Sequence, residues 1–250
     1  MNDSYRGYGN AVGTMDMSVD AGLRSFMLGV YNKLGLGLVV SGLLALATSQ
    51  VPAVRDLFFQ VVTTPEGSAI TYTGLGMIVS FLPIALLLGS MFFMRNPSKA
   101  GSGLLYWAVV ASIGASLGIV LLLYTGQSVA TTFFVTAAAF GGLSLFGYTT
   151  KRNLTAMGSF LIMGVIGLII AMVVNMFLQS EMMAFIISAI GVLVFSGLIA
   201  YDTQRLKGTY YALGGDQAQM AVATNFGALS LYINFINLFQ FLLMFLGSRE

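Results

Sequence analysis

The residues able to do chemistry in this sequence are few, and an aspartate leads them. Asp202 closes a long uncharged run in the segment FSGLIAYDTQRLK (195–207). A carboxylate at the end of a helix opposes the macrodipole, so either the helix runs on past it or a cation compensates. Arg205, three residues later, is one candidate cation. Arg95 is another. Further along, Ser230, Asn234 and Asn237 stand at i, i+4 and i+7, on one face of a helix. Amides in an apolar segment need hydrogen-bond partners. That face serves either as polar glue between helices or as the lining of a polar path, and spacing does not choose between the two.

The rest of the composition removes whole classes of chemistry. There is no His and no Cys. Imidazole acid–base catalysis, thiol nucleophiles, disulfides and Cys or His metal sites go together. Intramembrane serine and zinc proteases depend on His. An intramembrane aspartyl protease needs two apposed acids. Tyr201-Asp202 imitates half of that motif, but Asp216 of the other half lies in the polar loop LGGD (213–216), with Leu213 where a glycine is required. A retinal protein needs a lysine in its last span, and none is there. The reading is therefore a non-enzyme with no cofactor and no bound metal. A net charge of +2 without a basic run excludes a nucleic-acid partner.

The elements that must position these residues are membrane helices. Of 250 residues, 57% are hydrophobic and only 8% charged, against about 25% charged in a soluble domain. The main partner is thus the lipid bilayer. A crossing takes about 20 mostly apolar residues. The uncharged stretches predict spans near 26–49, 74–94, 157–178, 182–201 and 222–246. The run between Lys99 and Lys151 adds two more, divided at YTGQS (124–128). The total is seven, all helical, because backbone groups in lipid must bond within their own segment. Lys33 inside the first span is expected to snorkel to the headgroups.

Basic residues alternate between rich and poor loops, and nine of the eleven fall on the N-terminal side. That pattern predicts a cytosolic N-terminus and a periplasmic C-terminus. Residues 1–22 read as a cytosolic tail and 23–250 as one membrane domain. In a bacterium the membrane would be the inner one, since a helical bundle does not suit the outer membrane. The segment VPAVRDLFFQVV (51–62) predicts a short surface helix or an early start of the second span. Small residues four apart, Gly114 with Gly118, Ala137 with Gly141 and Ala138 with Gly142, predict close helix packing. Pro83 predicts a kink in the second span. The 15 Met residues read as adaptable core filling.

Three separated segments resemble a known family. The stretch AAAFGGLSLFGYTTKRNLT (137–155) resembles the fourth-span signature of the Bax inhibitor-1 family in its bacterial YccA-like branch. LIAYDTQR (198–205) and ALSLYINFINLF (228–239) agree in order, as do AGLRSFM (21–27) and VYNK (30–33). The resemblance implies seven helices, with the seventh central inside a ring of six. It implies a pH-sensitive leak for calcium or another cation, or modulation of a membrane-bound AAA protease or of cell-death responses. In the family's leak model two acids, on the sixth and seventh spans, sense protons, and an arginine ending the second span latches the first acid. Here those positions are Asp202, Asn234 and Arg95. Asn234 cannot titrate, so the shared-proton pair is missing. With one acid and two amides, any calcium site would be weak.

Overall fold

The computed structural model describes residues 21–64 and 67–248. The tail expected over 1–22 lies outside them, except for Ala21 and Gly22, which already belong to the first helix. The chain runs α1 (Ala21–Gln50), α2 (Pro52–Phe58), β1 (Phe59–Thr64), β2 (Gly67–Tyr72), α3 (Gly74–Phe93), α4 (Lys99–Ser116), α5 (Gly118–Leu123), α6 (Gly126–Thr149), α7 (Thr155–Leu178), α8 (Glu181–Ala212) and α9 (Gln217–Leu246). Among the described residues seven helical segments are long and apolar enough to cross a membrane, α4 and α5 together forming the third.

Side chains that accept an orphan N–H start most of these helices. Thr73, Ser98, Thr125 and Ser180 cap α3, α4, α6 and α8. Asp216 caps α9, accepting from Ala218 N at 2.9 Å and Gln219 N at 3.1 Å. Gly214 and Gly215 supply the positive φ values, 56° and 90°, of the turn before it. The Gln219 N–H leads in holding the Asp216 carboxyl below the usual carboxylate range. That contribution is complete above the ordinary carboxylate pKa and is lost as pH falls through the lowered one.

Helix α9 is the axis. Its residues Leu231, Tyr232 and Leu238 are fully buried, and it packs against α1, α4, α6 and α8. The six surrounding helices form two tiers, because α3 packs mainly on α4, and α7 on α8. Burial follows that arrangement. In their most apolar windows, 56% of α9 residues are buried but only 11% of those in α3 and α7. The exposed Phe, Ile, Met and Leu side chains of α3 and α7 are what a lipid-facing surface requires.

Four local features depart from, or sharpen, the expectations. The surface helix after the first span is there as α2, but a β-hairpin follows it, pairing Phe59 with Tyr72 through Thr64 with Gly67. The Phe59 and Tyr72 rings meet at 5.5 Å, and the Tyr72 hydroxyl donates to Ser116 O at 3.2 Å. That bond explains the break between α4 and α5. Val120 N turns to Leu117 O at 3.0 Å, and the carbonyls of Ala115 and Ser116 accept instead from Thr48 (3.0 Å) and Tyr72. Lys33 does not snorkel. Its ammonium bonds Asn225 of α9 and lies 4.9 Å from the Tyr106 ring centre. Helix α3 passes through Pro83 without interruption.

The small-residue spacing proves half right. A Cβ on Gly114 would stand 2.6 Å from Ser41 Cα, and one on Gly118 would stand 2.2 Å from Thr48 Oγ1, so α1 and α4–α5 meet closely there. Gly141 and Gly142, by contrast, face open space. The close contact of α6 is at Gly147, where a Cβ would fall 2.2 Å from Ala200 O of α8. Backbone cannot yield as a side chain does. Gly147→Ala is therefore expected to lower stability by about 1–3 kcal/mol through overpacking. Gly142→Ala should stay within about 1 kcal/mol of wild type. Unfolding in mixed micelles compares the two.

Candidate functional site

Helix α8 does not end at Asp202. It continues to Ala212, so Asp202 lies about 15 Å inside the helix end. The backbone carbonyls around it are bonded along the helix, and the clash with the macrodipole foreseen for a terminal acid does not arise. Asp202 is only 5% exposed, on the α8 face turned toward α9. A buried carboxylate needs donors on both oxygens.

Asp202 has them. Oδ1 pairs with Arg205 Nη2 at 2.9 Å. Oδ2 accepts from Ser230 Oγ at 2.5 Å and from Asn234 Nδ2 at 2.7 Å. Ser230 Oγ in turn accepts from Arg205 Nη2 at 3.3 Å. Every neighbour is a donor, and the ring of bonds ties α8 to the central helix. Arg205 is half exposed, with its guanidinium carbon 5.7 Å from the Tyr201 ring centre. It covers the site on the side toward the α8–α9 turn.

Of the residues singled out from sequence, Asp202, Ser230 and Asn234 come together. Asn237 does not join them, since its amide donates to Ile233 O of its own helix at 2.8 Å. Arg95 does not join them either. It stands exposed just beyond α3, and α3 packs on α4 rather than on α8. Among the described residues the ion pairs are Arg205–Asp202 and Arg55–Asp56. The cation that meets Asp202 is thus the neighbour one helical turn away. An i+3 side chain on the same helix reaches it without any movement of α3.

Two further polar clusters went unread. Asn225, nine residues before Asn234 and so on the opposite face of α9, receives Lys33 and donates to Ser102 Oγ (2.8 Å) and Lys99 O (3.1 Å). Tyr31, Ser144 and Thr203 link α1, α6 and α8 by contacts of 2.6 and 3.0 Å. The signal for the first was a lysine within an apolar run, which needs an acceptor if it turns inward. Single hydroxyls carry no such signal. Among the described residues no three acidic side chains converge as a metal site would require.

Comparison with known proteins agrees with this architecture. The family model described as inhibitor of apoptosis-promoting Bax1 matches residues 23–250. A Caulobacter vibrioides protein is 66% identical over the full length of both chains. A Rickettsia prowazekii protein is 42% identical, with 92% of each chain covered. The inner membrane protein YbhL of Escherichia coli is 37% identical, with 92% of this chain and 94% of that one covered. With seven membrane-length helices and a family match over nearly its whole length, the chain belongs to the Bax inhibitor-1 family of multi-pass membrane proteins.

Proposed function

We propose that this protein is a cation leak of the bacterial inner membrane whose gate is Asp202 held shut by Arg205, and whose response to pH is blunted by Asn234. The observation that carries the reading is the buried carboxylate against the central helix, plugged by a guanidinium from its own helix. A carboxylate in that position attracts a cation once the guanidinium leaves. The name of the Escherichia coli relative supports the inner membrane, and the loop charges support a cytosolic N-terminus and a periplasmic C-terminus. On that orientation Asp202 lies toward the cytosolic side.

Asn234 defines how this chain departs from a diacid sensor. Two carboxylates at this distance share a proton, and the neutral partner donates to the charged one. The Asn234 amide makes the same donation at 2.7 Å with no proton to lose. On the α9 side, the α8–α9 contact then has no second acid to titrate. The same substitution favours a second reading, a non-conducting modulator of a membrane-bound AAA protease or of stress and cell-death responses.

Flux from liposomes loaded with calcium or a monovalent cation separates the two. Wild type is expected to leak slowly, with little change from about pH 6 to 8. Asn234→Asp should introduce a leak that rises with pH, because deprotonating the pair sets two like charges against each other. No flux from either protein at any pH would sink the channel reading, and recovery of a protease complex from membranes would then favour the modulator. Arg205→Gln should raise the leak several-fold, whereas Arg95→Gln should leave it unchanged. The reverse order would return the latch to Arg95.

A further inference from the structure

The bundle wall has an open seam between α1 and α6. Both helices pack on α8 and α9, yet they meet each other chiefly through the Tyr31–Ser144 hydrogen bond of 2.6 Å. Between them lies a cavity of about 590 Å³. Helix α1 contributes Arg24, Leu28 and Tyr31 to its walls, and α6 contributes Gly141, Leu145 and Tyr148. Each helix thus offers one stripe with i, i+4, i+7 spacing. The absence of a side chain at Gly141 keeps the trench open, since a Cβ there would meet nothing within 4 Å.

The polarity of this trench is graded along its length. Helices α1 and α6 run antiparallel, so Arg24 and Tyr148 share the end that carries the Lys- and Arg-rich turns. Tyr31 and Gly141 lie about 10 Å deeper. Arg24 is exposed and has no ion pair among the described residues. Lys207 places a second cation beside the mouth, bonded to Tyr148 O and 4.8 Å from the Tyr148 ring centre. Deeper in, the polar atoms are spent on one another, Tyr31 on Ser144 and Ser144 on Thr203 at 3.0 Å. The floor therefore suits hydrocarbon and not a polar metabolite. The volume lies within the range of small-molecule sites, about 300–1,000 Å³.

We propose that this seam holds one phospholipid with an anionic headgroup, its phosphate on Arg24 and one acyl chain along the α1–α6 trench. Guanidinium binds phosphate through paired donors, and an acyl chain in the trench completes a wall that the protein leaves unfinished. The site is walled by α1 and α6, includes none of the residues that bond Asp202, and does not depend on cation conduction.

Native mass spectrometry of the full-length, delipidated protein tests this, with phosphatidylglycerol and phosphatidylcholine of identical chains as probes. Wild type is expected to hold one phosphatidylglycerol, about tenfold more tightly than phosphatidylcholine. Gly141→Leu should lose both lipids by about tenfold or more, while Gly142→Leu, one residue away and outside the trench, binds as wild type. Arg24→Gln should bring phosphatidylglycerol down to the phosphatidylcholine level. If Gly141→Leu does not fold, Arg24→Gln decides alone, and a preference retained in that variant overturns the proposal. A folded Gly141→Leu that keeps its lipid also overturns it. So does a wild-type dimer that Gly141→Leu dissolves, which would assign the seam to a second copy of the chain.

Discussion

A carboxylate taken out of water must find donors, and in this bundle Asp202 finds them on the central helix. Its two oxygens engage Arg205 of α8 and both Ser230 and Asn234 of α9. Leaving such a group unpaired in the interior costs several kcal/mol, so the phase of α8 against α9 is set by where the donors stand. Arg205 being half exposed, its ion pair is screened more than the two hydrogen bonds are. The latter hold the helices together, and the guanidinium is the part free to leave.

The α9 surface divides its polar work between opposite faces. On one side Ser230 and Asn234 meet Asp202; on the other Asn225 collects Lys33, Ser102 and the Lys99 carbonyl. Each cluster satisfies one inward-turned charge, an acid from α8 and an ammonium from α1. Tyr232, between Ser230 and Asn234 in sequence, bonds Ser41 of α1 at 2.6 Å. The central helix is thus fixed by polar contacts on α1, α4 and α8, while the outer helix α7 packs on α8 and is tied to it at its start by Gln204, which bonds Leu154 N and Arg152 O at 2.8 Å each. Movement at low energetic cost is easiest at α3, which packs mainly on α4 and has no tie to the central helix of this kind.

Much of this was legible in the sequence, for physical reasons that vary by element. The spans were, because lipid demands long uncharged helices and charge marks their ends. The faces of α9 bearing Ser230 and Asn234 were, because helical periodicity survives whatever packs against it. Choosing Arg205 over Arg95 was not, since it depends on which helix α3 leans upon, and no charge pattern records that. The hairpin of β1 and β2 escaped because its strands are six residues each, and their local pattern is as apolar as a helix start. Gly141 and Gly142 were misread because small residues permit a close neighbour without supplying one. At Gly147 the neighbour is there; at Gly141 the seam is.

The central claim is that Asp202 is coupled to Arg205 and not to Arg95. Double-mutant cycles on reversible unfolding in mixed micelles measure it directly. Asp202→Asn combined with Arg205→Gln is predicted to depart from additivity by about 0.5–3 kcal/mol, and combined with Arg95→Gln to add within about 0.5 kcal/mol. Coupling to Arg95 together with additivity at Arg205 would contradict the account.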